Sequence, residues 1–383
     1  MLRFQGHNHL RQRLLLATIA GKPVRIDKIR SEDEDMPGLH DYEISFLRLL
    51  EKLTNGSQIE ISYTGTALIF RPGVITGGSV KHECPKSRAI GYFLEPLIAL
   101  APFAKSPFSV TLTGITNDNV DISVDTLRTV TLPQLKHFGI EDGVELKISK
   151  RGAPPLGGGE VTFRCPIVRQ LKPVQFVDEG QIKRIRGIAY ATRISPQMAN
   201  RVVDAARSLL TRYIPDVYVY TDIYKGAESG LSPGYALTLV AESTTDVLLS
   251  SECAFQPRKR TLASSDTEDE AGPNLSTHLA NDYTFPTPED LGVRTARLLL
   301  QEIRKRGCVD SVTQWLWLLM LALGPEDVSK IRTGPLTPFT IQYLRDIKTI
   351  LGVTFKIKPD PETHTVLLTC VGIGHVNLNK KTI

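Results

Sequence analysis

The residues of this chain that could do chemistry are few and scattered. His7 and His9 stand two apart near its start. Imidazoles are common metal ligands, but a spacing of two sends side chains to opposite faces of a strand or apart on a helix, and no third ligand is evident, so no metal is expected. His82-Glu83-Cys84 fails for the same reason: adjacent side chains diverge, and Pro85 marks a turn. Arg345, Asp346 and Lys348 form a different kind of group. On a helix Arg345 and Lys348 are neighbours. Asp346 could take the proton of a ribose 2'-hydroxyl while the two cations neutralise a phosphate, the minimum for metal-independent RNA cleavage. The competing reading is a solvated, salt-bridged helix face.

A second set is basic. Lys147, Lys150, Arg151, Arg164, Arg169 and Lys172 flank the run Arg151-Gly152-Ala153-Pro154-Pro155 and Gly157-Gly158-Gly159, and Lys183, Arg184 and Arg186 follow. Glycines let a backbone approach phosphates closely while Arg and Lys supply charge without base specificity. Lys150, Arg151, Arg164, Arg169 and Lys172 are therefore candidates for binding RNA or phosphate. An ordinary solvated turn explains the same pattern. The apolar stripe Trp315, Trp317, Leu318, Leu319 and Met320 reads as core rather than as a base-stacking platform.

These groups need elements to hold them. The chain has 383 residues, 41% of them hydrophobic and 23% charged, which excludes wholesale disorder and predicts two or three folding units. Forty-six Lys+Arg against 41 Asp+Glu leave a net charge of +5, which admits a polyanionic partner without requiring one. The five cysteines are far apart, odd in number and without a CxxC, so buried, reduced thiols in an intracellular protein are expected. Met1 to Ala20 mixes apolar residues with His, Arg and Gln, unlike a signal peptide. The longest apolar run, Trp315 to Leu323, is too short to cross a bilayer, so no membrane association is expected.

Helix signals recur, each followed by strand-like alternation. Helices over Tyr42 to Leu53, Val124 to His137 and Thr340 to Ile350 stop at Asn55-Gly56, Gly139 and Gly352, and each precedes two strands. One order repeated three times predicts repeated α+β modules. The stops lie about 80 residues apart in the first interval and about 210 in the second, an excess on the scale of one small domain. The expected organisation is a body over 1–182 and 286–383, with an inserted α+β domain over 183–285. The insert opens with a strand at Gly187 to Thr192 and a helix at Ser195 to Tyr213. Within it, Pro257-Arg258-Lys259-Arg260 and the acidic run Ser264 to Glu270 read as a disordered loop around 257–275, and the basic tetrapeptide fits a nuclear-import signal. Helix Pro288 to Arg306 is expected to resume the body, with its third-repeat helix burying Ile341, Leu344 and Ile347.

Several segments together now resemble one family. Gly21-Lys22-Pro23-Val24-Arg25-Ile26, Pro37-Gly38-Leu39, Phe70-Arg71-Pro72-Gly73, Arg151-Gly152-Ala153-Pro154-Pro155 with Gly157-Gly158-Gly159-Glu160, and Ser232-Pro233-Gly234 are similar, in this order, to the RNA 3'-terminal phosphate cyclases. The resemblance implies an α+β fold of three repeated βαβαββ modules carrying one smaller inserted α+β domain. It also implies a histidine nucleophile, in a His-x-x-Thr pattern before a helix, that takes up adenylate from ATP. Here Leu336-Thr337-Pro338-Phe339-Thr340 puts Thr337 at that place, and a threonine hydroxyl cannot form the phosphoramidate. The family's N-terminal carboxylate falls on Gln5 and its Asp-Gln pair on Trp315-Leu316. With Gly77 to Pro85 and Ile90-Gly91-Tyr92-Phe93, the chain resembles the eukaryotic cyclase-like branch of the family. That branch implies a pseudoenzyme without cofactor or cyclase activity, acting in 18S rRNA processing and small-subunit biogenesis. It further implies the nucleus and nucleolus, the small-subunit processome, pre-rRNA and a large nucleolar GTPase as partners. The alternative is a site-specific pre-rRNA endonuclease built on Arg345, Asp346 and Lys348.

Overall fold

Three times the chain builds strand, helix, strand, helix and antiparallel hairpin into one four-stranded sheet. The computed structural model of the protein describes residues 1–255 and 287–378. The first module contains β1 (Leu2–Gln5), α1 (Leu10–Ala20), β2 (Val24–Asp27), α2 (Asp41–Leu53), β4 (Gln58–Ile61) and β5 (Leu68–Arg71), in sheet order β1-β2-β5-β4. A two-stranded accessory, β3 (Thr54–Asn55) with β6 (Val74–Ile75), closes its hairpin end.

In the second module, β7 (Gly78–Glu83), α3 (Ile90–Leu100), β8 (Phe108–Gly114), β9 (Glu145–Lys150) and β10 (Gly159–Cys165) give the order β7-β8-β10-β9. Its second helix is irregular: one turn at Val124–Thr126, a π-helical stretch Leu127–Thr131, and tighter turns to Leu135–Phe138. It stops at Gly139, whose left-handed backbone (φ 81°) closes the last turn.

The third module opens with β11 (Gln175–Phe176) and resumes only at α6 (Gln314–Leu323), β16 (Val328–Thr333), α7 (Pro338–Leu351), β17 (Lys356–Asp360) and β18 (Thr365–Val371). Its sheet order is β11-β16-β18-β17. The insertion thus falls after the first strand of the third repeat.

The inserted unit is a fourth sheet, β13-β12-β14-β15, from β12 (Ile182–Thr192), β13 (Val217–Tyr224), β14 (Gly234–Ser243) and β15 (Leu248–Ala254). Helix α4 (Pro196–Leu210) packs on one face of it. Helix α5 (Pro288–Lys305), expected to return to the body, lies instead beside α4 on β14 and β15, so the inserted unit runs past residue 285. The reason is close approach: a Cβ at Gly292 would stand 2.3 Å from the Val202 carbonyl oxygen, and Leu291, Thr295, Ala296 and Leu299 are buried against that sheet. The basic run Pro257–Arg260 and the loop around 257–275 lie outside the described residues.

One apolar core joins the modules. Every residue of α6 is buried, as the Trp315–Leu323 stripe predicts. The Trp317 ring stacks on Phe176 at 5.2 Å between centroids and its indole N–H donates to Gln134 Oε1 at 2.8 Å, tying the second module to the third. All five cysteines are buried and free. Among the described residues no helix is long and apolar enough to cross a membrane.

The insert meets the body through polar groups with few alternatives. Glu252 of β15 accepts from the Ser123 backbone N–H at 2.9 Å, from the Thr126 hydroxyl at 2.5 Å and from the Ser123 hydroxyl. Burial pushes its carboxyl up to about 7, against the pull of these donors. A carboxyl whose folded value is raised stabilises fully below its unfolded value, and that stability is lost as pH climbs through the folded one. From pH 4.5 to 8, urea unfolding should therefore show the wild type losing on the order of 3 kcal/mol relative to Glu252→Gln. Equal pH profiles for the two proteins would refute this account of the contact.

Candidate functional site

A cavity of about 740 Å³ opens between the β1–α1 turn, the start of α2, α3 and the N-terminus of α7. It is lined by Gln5, His7 and His9 from the turn, Arg11 and Arg13 from α1, Arg30 and Arg88 from loops, Tyr42, Glu43 and Tyr92 from α2 and α3, and Pro338, Phe339 and Gln342 from α7. His7 and His9, expected to point apart, share its wall. The segment is neither strand nor helix but a tight turn with left-handed backbone at Gly6 and His9, and alternation does not apply there. The His9 ring stacks on Phe339 at 4.2 Å, and its buried Nδ1 has no hydrogen-bond partner. Burial lowers the pKa of both imidazoles; at His7 Arg30 lowers it further, whereas at His9 Asp346 opposes the shift.

Each arginine on the wall carries its own carboxylate. Arg11 meets Glu95 at 2.6 Å, Arg13 meets Asp346 at 3.0 Å, Arg30 holds Glu43 through both oxygens at 2.7 and 2.9 Å, and Arg88 holds Asp121. The guanidinium planes lie over rings: Arg11 and Arg88 over Tyr92, each at 4.6 Å, and Arg13 over Phe4 at 4.7 Å. These contacts fix the arginines in place. None of the four stands out in the sequence, since they come from separate segments of the first and second modules and only the fold gathers them.

Thr337 sits at the α7 entrance, at the place where the resemblance puts a nucleophilic histidine. Its hydroxyl accepts from the Thr340 backbone N–H at 3.1 Å, an N-cap, with Pro338 following in the first turn. Gln5 ends β1 with its backbone carbonyl taken by Arg13 at 3.1 Å. Trp315 and Leu316 are buried beneath the cavity rather than lining it. The Trp315 indole N–H donates to Glu95 Oε1 at 2.6 Å and its ring meets Tyr343 edge-on at 5.6 Å. Burial raises the Glu95 pKa, against the opposing pull of Arg11 and Trp315. The chain Arg11–Glu95–Trp315 thus runs from the cavity wall into the core.

The other candidates are not brought together there. Asp346 does not share a face with Arg345 and Lys348. It is buried, with Oδ2 on Arg13 and Oδ1 accepting from Gln342 at 3.1 Å, while Arg345 and Lys348 border an apolar groove of about 220 Å³ on the far side of α7, with Ile341, Leu344 and Phe355. The helix is turned from the expected phase: Tyr343, Ile347 and Ile350 are its core residues, Leu344 is half-buried and Ile341 is 42% exposed. Contact with α1 brings Arg13 to Asp346 and decides the rotation.

Arg151, expected to meet phosphate, is fully buried. Its guanidinium pairs with Asp125 of the second module and with Asp222 of β13 at 3.1 Å, between the rings of Tyr190 (4.6 Å) and Tyr224 (5.4 Å). The adjoining glycines serve close packing and not a phosphate cradle. A Cβ at Gly230 would stand 2.2 Å from the Arg151 carbonyl oxygen, and Leu231 N–H donates to the Gly157 carbonyl at 2.9 Å. Lys150 is half-buried at one end of the β9–β10 pairing. Arg164 is exposed beside Glu145 at 3.6 Å, four residues along β10 and roughly 13 Å away. The Lys172 stem lies over Gly139, and Arg169 is exposed in the following loop. His82 is a core residue whose Nε2 lies 2.8 Å from Ser45 Oγ, and burial lowers its pKa to about 4.

A family model described as RNA 3'-terminal phosphate cyclase matches residues 2–357. The chain belongs to the RNA 3'-terminal phosphate cyclase family. It is 56% identical over 383 residues, all of both chains, to a Dictyostelium discoideum protein named "Probable RNA 3'-terminal phosphate cyclase-like protein". It is 52% identical to the human RNA 3'-terminal phosphate cyclase-like protein, over 99% of this chain and 97% of that one. It is also 46% identical to the "rRNA processing protein rcl1" of Schizosaccharomyces pombe, over 99% and 98%. Within this cyclase family fold, Arg151 joins the insert to the body. Arg151→Leu should cost about 3–5 kcal/mol by leaving Asp125 buried without its partner, and adding Asp125→Leu should recover part of the loss. Urea midpoints read both, and an Arg151→Leu protein as stable as wild type would contradict the assignment.

Proposed function

We propose that this chain acts in the maturation of pre-18S ribosomal RNA as a cyclase-like protein without cyclase activity. The reading places it in the nucleus and nucleolus, within the small-subunit processome, with pre-rRNA and a large GTPase as partners. The observation that carries the loss of cyclase chemistry is Thr337. Its hydroxyl is engaged as a helix cap and lacks the nucleophilicity to take adenylate from ATP. The name of the fission yeast relative supports the ribosomal RNA part of the reading. The GTPase, the processome and the nucleolus rest on the resemblance to the cyclase-like branch.

Arg345, Asp346 and Lys348 as an endonuclease centre would require Asp346 to leave both Arg13 and Gln342 and turn through the helix. A buried carboxylate with both oxygens already engaged is out of reach of a ribose hydroxyl, and this favours the assembly role.

Depletion of the chain in cells should lower mature 18S RNA and accumulate its precursors on northern blots, and unchanged 18S maturation would sink the reading. In vitro, neither the wild type nor Thr337→His should form a covalent adenylate with labelled ATP. The substituted imidazole would restore the nucleophile alone, with Gln5, Trp315 and Leu316 still in place of the polar groups implied by the resemblance. A labelled band from wild-type protein would overturn the first half, and one from Thr337→His the second.

A further inference from the structure

Helix α5 has two unlike faces. Leu291, Gly292, Thr295, Ala296 and Leu299 are buried against the inserted sheet and α4, while Arg294, Arg297, Gln301, Arg304 and Lys305 are exposed. At 3.6 residues per turn these five fall within one stripe about a quarter of the circumference wide, and Arg294 to Arg304 covers about 15 Å of axis. At its N-terminal end the stripe also holds the exposed Asp290, whose carboxylate accepts from the Thr287 hydroxyl at 2.6 Å.

The arginines on the stripe differ from those around them. Arg201 on the adjacent helix is held by Glu289 at 2.6 Å, Lys305 is held by Glu302, and Arg306 lies 3.8 Å from Glu179. Arg294, Arg297 and Arg304 have no carboxylate partner among the described residues. Like charges three residues apart, as at Arg294 and Arg297, weaken a helix by a few tenths of a kcal/mol. At its C-terminal end the stripe runs into a cleft of about 500 Å³ lined by Gln301, Arg304, Lys305, Arg306, Thr363 and His364, with Glu362 as its one acid.

We propose that this face of α5 binds the sugar–phosphate backbone of RNA. Charge complementarity names a polyanion, and the surface distinguishes RNA from an acidic protein segment. Protein partners are held by buried apolar or aromatic anchors, and no large apolar side chain is exposed along the stripe. Backbone phosphates need only cations at intervals, without anchors or base readers. The proposal rests on the ribosomal RNA reading above, and adds to it the surface and the part of the RNA that is touched.

The test is fluorescence anisotropy of the full chain with a labelled 20-nucleotide single strand and a 20-base-pair duplex, between 50 and 200 mM salt. Wild type should bind both weakly, with log affinity falling linearly against log salt. R294Q/R297Q/R304Q should shrink that slope by about 2 for the single strand and about 3 for the duplex, the counterions that three lost phosphate contacts no longer release. R294K/R297K/R304K should keep the wild-type slope, because backbone contact needs charge and not a planar fork. R201Q, which removes a paired arginine, should change nothing, and circular dichroism should show all variants folded. A wild-type slope in the glutamine variant overturns this surface assignment and leaves the ribosomal RNA reading standing. Preferential binding of polyglutamate over RNA at equal charge, lost in the glutamine variant, would make the partner an acidic protein and overturn the proposal. Absence of RNA binding by wild type at 50 mM salt also overturns it, whereas normal 18S maturation after depletion removes the reading beneath it.

Discussion

A desolvated guanidinium is the most demanding of the contacts that hold the inserted unit in place. Arg151 is fully enclosed, and burial opposes its charge while Asp125 more than offsets that penalty. A buried charge must be paired, so Asp125 and Asp222 have to arrive together, one from the body and one from β13. Once they do, other contacts have little freedom: Arg151 N–H donates to the Glu228 carbonyl at 2.9 Å, Asn119 bridges to the Ala254 backbone in both directions at 2.7 Å, and Glu252 reaches Ser123. The glycine-rich turn belongs to the same constraint. Its missing side chains let the 151–159 and 226–234 segments meet backbone to backbone.

The cavity at the other side of the first module shows the same logic in a different role. Four arginines face it, and each is neutralised by a carboxylate drawn from another element: Glu95 from α3, Asp346 from α7, Glu43 from α2 and Asp121 from the loop before the irregular helix. Two of these pairs, Arg11–Glu95 and Arg13–Asp346, tie the first module to the second and third. A cavity whose charges are already satisfied is well suited to keep its shape and poorly suited to drive a reaction, since preorganised charge must be free to meet what develops in a transition state. The Trp315 indole donates to Glu95, so that this buried carboxylate serves packing.

The modular fold was legible because its signals are local. Left-handed stops at Gly139 and Gly352 and alternating strands are each written within a few residues. The interval between stops exposed the insertion because chain length is additive. The fate of the charged candidates was not legible, because it depends on partners far away. Arg151 carries no mark that separates a surface cation from one destined for Asp125 and Asp222. On α7, a reading by charge grouped Arg345, Asp346 and Lys348. The actual phase follows Tyr343, Ile347 and the approach of Arg13 from a residue 333 positions earlier in the chain. The site of α5 was misplaced for a like reason: its own sequence describes a two-faced helix and leaves open which sheet it covers.

Net charge hides the property that matters most for an RNA-associated protein. A surplus of +5 over 383 residues suggests almost nothing, but charges do not act as a sum. Among the described residues two arginines are buried in ion pairs, Arg13 with Asp346 and Arg151 with Asp125, which cancel at short range and project little field. The field outside comes from what is left unpaired, and on α5 that is three guanidiniums on one face of one helix. A polyanion within a Debye length of that face meets a local surplus, whatever the total. The pairing that removes Arg151 and Asp346 from chemistry also removes them from the outer field, and the face proposed on α5 rests on arginines that escape such pairing.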